Sequence, residues 1–91
     1  MSDDKEPLSV YTLLAATVDQ FAGVAWQKLG LQPDPFTGAV EKDLHEAKVA
    51  IDICADLSAH LEPTLDEEDR REVHILLRNL RLNYVEKAKE G

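Results

Sequence analysis

Residues 43–61 read DLHEAKVAIDICADLSAHL, and after EPTL at 62–65 the chain continues as DEEDRREVHILLRNLRLNYVEKAK over 66–89. In the first stretch Leu44, Ala47, Ile51, Cys54, Leu57 and Leu61 recur every three or four residues, the period that returns side chains to one side of an α-helix. Asp43 stands where a carboxylate can cap that helix, and Glu46 three residues on completes the pattern of a capping box. Pro63 ends it. In the second stretch Asp66, Glu67, Glu68 and Asp69 sit at the positive end of a helix dipole and Lys87 and Lys89 near the negative end, with Val73, Leu77, Leu80 and Tyr84 as the core line. A link as short as 62–65 makes the two helices an antiparallel hairpin.

Toward the N-terminus the turn Pro33-Asp34-Pro35-Phe36-Thr37-Gly38 combines two fixed φ angles, an Asp that can bond its own following amides, and a Gly that tolerates positive φ. Before it, Leu14, Val18, Phe21, Ala25 and Leu29 repeat at helical spacing behind the capping Ser9, and Gly30 supplies the left-handed residue that closes a helix. The expectation is an all-α protein of three helices at about 10–29, 44–61 and 67–87 in a single domain over 9–91, preceded by a disordered acidic tail at 1–8.

Composition narrows the function. Of 91 residues 18 are acidic and 10 basic, a net charge of -8, which repels the phosphate backbone and anionic lipid headgroups. No nucleic acid and no membrane are expected as partners. Residues 10–29 are interrupted by Asp19, Gln20, Gln27 and Lys28, unlike the unbroken apolar run of a membrane span. The first residues, MSDDKEP, are acidic where a secretory signal is basic, and the single Cys54 permits no intrachain disulfide, so a reducing cytoplasm is expected.

The residues already quoted carry a resemblance. Leu29-Gly30, the PDPxTG pattern at 33–38, DLxxAxxAID at 43–52, and in the last helix the acidic start Asp66 to Asp69 followed by Leu80-Arg81 and Tyr84-Val85-Glu86 make the chain similar to the small bacterial family known as domain of unknown function 1844. The similarity runs over nearly everything from 9 to 87. What it implies is an intracellular, mostly helical protein, and it transfers no catalytic or ligand residue. The polar Asp19-Gln20 pair departs from what the first helix should carry at its middle.

Three constellations are candidates for function. The first helix has 13 hydrophobic residues among the 20 at 10–29, more than one stripe can hold. Leu14, Val18, Phe21 and Ala25 form one face and Tyr11, Ala15, Ala22 and Trp26 an adjacent one, and both want burial. Either the other two helices cover them in one three-helix bundle, or a second copy does; the bundle is expected to be completed by homo-oligomerisation as a dimer, with Tyr11, Leu14, Val18, Phe21, Ala22, Ala25 and Trp26 at the interface.

Second, Arg71, His74, Arg78 and Arg81 fall at spacings of three or four on one face of the last helix. They serve either as a solvated face with ion pairs to Asp66, Glu67 or the middle helix, or as a site for an anion or acidic partner. Arg81, between Leu80 and Leu82, is expected to need a carboxylate such as Asp52 or Asp19. Third, Asp52, Asp56 and His60 project at four-residue spacing and could offer metal ligands, although no HExxH motif accompanies them.

Catalytic chemistry finds little support. Cys54 lies on the core line, Ser9 is a cap, Ser58 has no elbow or base, and the glycines form no phosphate loop, so no enzyme activity and no cofactor are expected. The leading expectation is a homo-oligomeric protein-interaction module using the first helix, Phe36 or the basic face; the alternative is a small-ligand or metal-binding helical protein using Asp52, Asp56, His60 and Arg81.

Overall fold

A computed structural model describes residues 7–90. The elements are α1 (Val10–Lys28), α2 (Leu44–Leu61), a 3-10 turn at Glu62–Thr64, and α3 (Glu67–Glu90). The class is all-α, and among the described residues the one departure from helix and loop is an isolated antiparallel bridge between Leu29 and Lys42. The tail expected at 1–8 falls mostly outside the described residues; Pro7 and Leu8 are exposed.

Each helix starts where a side-chain oxygen meets an amide with no partner in its own helix. Ser9 Oγ accepts from the Tyr11 amide at 3.2 Å, Asp43 Oδ1 from Glu46 at 3.1 Å and Asp66 Oδ1 from Asp69 at 2.8 Å. The capping box at Asp43 is half formed. The Asp43 amide donates to the Lys28 carbonyl at 2.8 Å, and the Glu46 carboxylate turns to Lys28 Nζ at 3.2 Å. That pair and the Leu29–Lys42 bridge clip the end of α1 to the start of α2.

α1 stops at Lys28, one residue short of expectation, and closes with the six-to-one and five-to-two bonds of a Schellman motif: the Leu31 amide donates to Trp26 and the Gly30 amide to Gln27. Gly30 holds φ 81° there, the left-handed conformation that a side chain would strain. α3 runs three residues past its expected end at 87, because the tail is built of good helix formers with no Gly or Pro before Gly91.

α2 lies between α1 and α3, which barely touch each other. The molecule is elongated, 51 × 31 × 18 Å. Its radius of gyration, 15.2 Å, exceeds the roughly 12 Å of a compact domain this size. α1 and α3 therefore share α2 as their packing surface in an open arrangement, and not in a closed three-helix bundle.

The core is correspondingly small: Ala22, Ala25 and Leu29 from α1 and its cap, Ala47, Ala50, Ile51 and Cys54 from α2, Leu77 and Leu80 from α3. Four of these nine are alanines, which let α1 and α2 approach closely but bury little apolar area.

Candidate interaction surface

The seven α1 residues expected at an interface divide along the helix. Val18, Ala22 and Ala25 are buried inside the chain, Leu14, Phe21 and Trp26 are half-buried, and Tyr11 is exposed. The helix faces Leu14-Val18-Phe21-Ala25 and Tyr11-Ala15-Ala22-Trp26 are thus not satisfied separately. The C-terminal half of α1 is covered by α2, while the N-terminal half leaves Val10, Tyr11 and Leu13 in solvent beside the exposed Leu8.

The basic face of α3 is where its spacing placed it. Arg71, His74, Arg78 and Arg81 are all exposed. His74 Nε2 pairs with Glu62, the residue after α2, and not with Asp66 or Glu67. Among the described residues no ion pair within 4 Å involves Arg71, Arg78 or Arg81.

The expected Arg81 pairing with Asp52 or Asp19 is therefore corrected. Asp52 bonds Lys48 Nζ at 2.8 Å, which raises the lysine pKa through that hydrogen bond and its charge, and Asp19 borders the groove of Asp69 and Glu72, nearer the start of α3. One step of about 100° past the buried Leu80 carries Arg81 out of the core.

Asp52, Asp56 and His60 climb α2 one turn at a time, so Asp52 and His60 are separated by about 12 Å of helix rise. Among the described residues no three His, Cys, Asp or Glu side chains gather where one ion could be held. Cys54 is fully buried, its thiol donates to the Val18 carbonyl at 3.6 Å, and desolvation, helped by the charge of Asp19, pushes its pKa from 9.0 up to about 11. Burial thus keeps the thiol protonated in the core. Ser58 is likewise buried, its hydroxyl without a hydrogen-bond partner among the described residues.

The turn before α2 displays an aromatic ring. Asp34 Oδ1 accepts from the Phe36 amide at 2.7 Å and from Thr37 at 3.3 Å, the Gly38 amide donates back to Asp34 O at 2.8 Å, and Phe36 stands 94% exposed.

Two surfaces escape a reading by core lines alone. Ile75, Leu82 and Val85 lie exposed on the outer side of α3 among the arginines, and a groove of about 410 Å³ opens between α1 and α3, floored by Val18, Leu61 and Val73 and rimmed by Asp19, Asp69 and Glu72. The seven-residue step from Ile75 to Leu82, off the Val73-Leu77-Leu80-Tyr84 line, was the available signal for the first.

The family described as a domain of unknown function (DUF1844) matches residues 11–86. The chain belongs to that family. The matched span takes in nearly all of α1, the Asp34 turn, all of α2 and the outer strip of α3, so the α3 strip and, from Tyr11 onward, the uncovered part of α1 lie within the family domain, while Leu8 and Val10 precede it. Neither curated proteins nor solved structures yield a match. Among the described residues no helix is long and apolar enough to cross a membrane.

Proposed function

We propose that the protein is a non-enzymatic interaction module of the bacterial cytoplasm that self-associates as a dimer through the uncovered N-terminal half of α1. One observation carries this reading: the open arrangement leaves, among the described residues, twelve large hydrophobic residues exposed, from Leu8 to Val85, against eleven apolar residues buried. Isolated exposed hydrophobics are ordinary, but contiguous ones mark association surfaces, and Leu8, Val10, Tyr11 and Leu13 follow one another along the start of α1. Around the helix Val10 lies between Leu13 and Tyr11, and the Tyr11 ring supplies apolar area and a hydroxyl at an edge, the combination favoured at interfaces.

Light scattering over a wide concentration range tests it. A concentration-independent mass of twice 10.2 kDa is expected, and Leu13→Glu with Tyr11→Glu should return the protein to a monomer. A wild-type monomer throughout, with no protein captured from extract, would sink the reading.

A further inference from the structure

All four arginines of the chain, Arg70, Arg71, Arg78 and Arg81, lie within one twelve-residue stretch of α3, whereas the lysines are scattered elsewhere. Arg70 is tied to the Leu65 carbonyl at 2.8 Å. The other three are exposed and unmatched by any described carboxylate, in a chain that has 18 acidic residues. Of the carboxylates nearby, Glu62 pairs with His74 and Asp52, which shares a groove with Arg81, pairs with Lys48, while Glu67 lines the groove of Arg71 without an ion pair to it.

Interleaved with the arginines are aliphatic side chains. Arg71, Ile75, Arg78, Leu82 and Val85 follow at steps of four, three, four and three, the seam of a helix that packs on another helix. Leu82 is 56% exposed and Val85 48%. Two shallow grooves of about 430 and 320 Å³ run along this strip and meet at His74 and Arg78. Together they extend from Glu67 to Val85, about 27 Å or five turns.

We propose that this strip of α3 docks an acidic amphipathic helix of a partner protein, with the partner's apolar residues against Ile75, Leu82 and Val85 and its carboxylates on Arg71, Arg78 and Arg81. Arginine suits the task because its planar fork binds a carboxylate through two parallel hydrogen bonds and it sheds water more readily than lysine. A second copy of this strip would bring arginine against arginine, so an identical face is a poor occupant. Nucleic acid is the other anion to consider. The apolar members here are aliphatic and provide no ring for a base to stack on, and the net charge of -8 opposes a polyphosphate.

The inference rests on the interaction-module reading but names a different surface from the one that self-associates, so the two can fail separately. Fluorescence anisotropy would compare three labelled 20-residue peptides: a leucine–glutamate amphipathic helix, the same helix with lysine for glutamate, and a scrambled leucine–glutamate sequence. The expected result is binding of the acidic helix alone, against the sign of the whole protein's charge. Arg71→Glu/Arg78→Glu/Arg81→Glu should weaken it by at least about tenfold and admit the lysine peptide, since charge pairing sets both attraction and rejection. Ile75→Ser/Leu82→Ser, which keeps the charges, should weaken it as well. Preference for the lysine helix, equal binding of the scrambled peptide, an unaltered affinity in the arginine variant, or displacement by a uridine oligonucleotide would each overturn the proposal. Dimeric mass alongside any of these would leave self-association standing; a monomer that binds the acidic helix would do the reverse.

Discussion

α1 and α3 flank the same helix and are held to it in opposite ways. α1 is the more apolar, yet what it buries is mostly small: Ala22 and Ala25 join Ala47 and Ala50 of α2 in the core. The antiparallel register that sets Val18 by Cys54 and Lys28 by Glu46 brings those alanines level, so this seam is held by close approach and by the clip at Lys28. α3 is the more charged and fully buries only Leu77 and Leu80, with Val73, Leu76 and Tyr84 packed partly around them. Its seam is a few large side chains on α2. Hydrophobic content alone therefore does not say how a helix is held; the size of the buried residues does.

The two seams should break under opposite substitutions. Leu80→Ala removes the most enclosed large side chain of α3 and should cost about 2–5 kcal/mol in urea denaturation, because the lining of a tight core collapses incompletely. Loss of less than about 1 kcal/mol would mean that α3 is docked by something other than its leucines. On α1 the damaging change is enlargement. Ala25→Leu has no room beside a completely buried methyl and should cost about 1–3 kcal/mol, whereas a helix seam held by side-chain interdigitation would absorb it.

Much of this architecture was legible before any coordinates. Ser9 and Asp43 each cap the helix they were expected to cap, Asp66 opens the last helix as expected, and Gly30 and Pro63 stop the chain where a left-handed residue and a missing amide must. Those signals are local, and local chemistry suffices to read them. The errors arise where a tertiary neighbour intervenes. Glu46 leaves the Asp43 amide because Lys28 arrives from α1, and Arg81 finds solvent because α3 presents a narrow face to α2. The division of α1 into a covered and an uncovered half follows from where α2 packs along it, which periodicity around the helix axis cannot express. Cys54 was readable as an inert core thiol because it continues the line from Ala47 to Leu61.

Polar groups in the central helix sharpen the comparison, since α2 supplies the packing surface for both neighbours. Ser58→Ala should stabilise the fold by about 1 kcal/mol, because it removes a buried hydroxyl that has no partner while barely changing volume. A destabilisation by the same assay would reveal a hydrogen bond made in solution.

Cys54 gives a pH test with a defined sign. Its folded pKa, about 11, lies above the ordinary 9.0, so the folded state retains the proton that the unfolded state gives up. The associated stability is fully present below pH 9.0 and is lost as the pH rises through about 11. Urea midpoints taken from pH 8 to 11 should fall more steeply for the wild type than for Cys54→Ala, and parallel slopes would show that the thiol is solvated.

The smallest expected effects decide the most. Leu13→Ser in α1 and Leu82→Ser in α3 alter side chains that are 53% and 56% exposed, so within one chain each should change stability by no more than about 0.5 kcal/mol. If α1 is the self-association surface, the two substitutions separate once protein concentration is varied. The wild-type midpoint should rise with concentration because unfolding then includes dissociation, and Leu13→Ser should abolish that dependence while Leu82→Ser leaves it intact. Loss of the dependence in Leu82→Ser instead would exchange the roles of the outer helices: α3 would be the dimer seam, its arginines would have to face carboxylates of the second copy, and the N-terminal half of α1 would become the surface open to another protein.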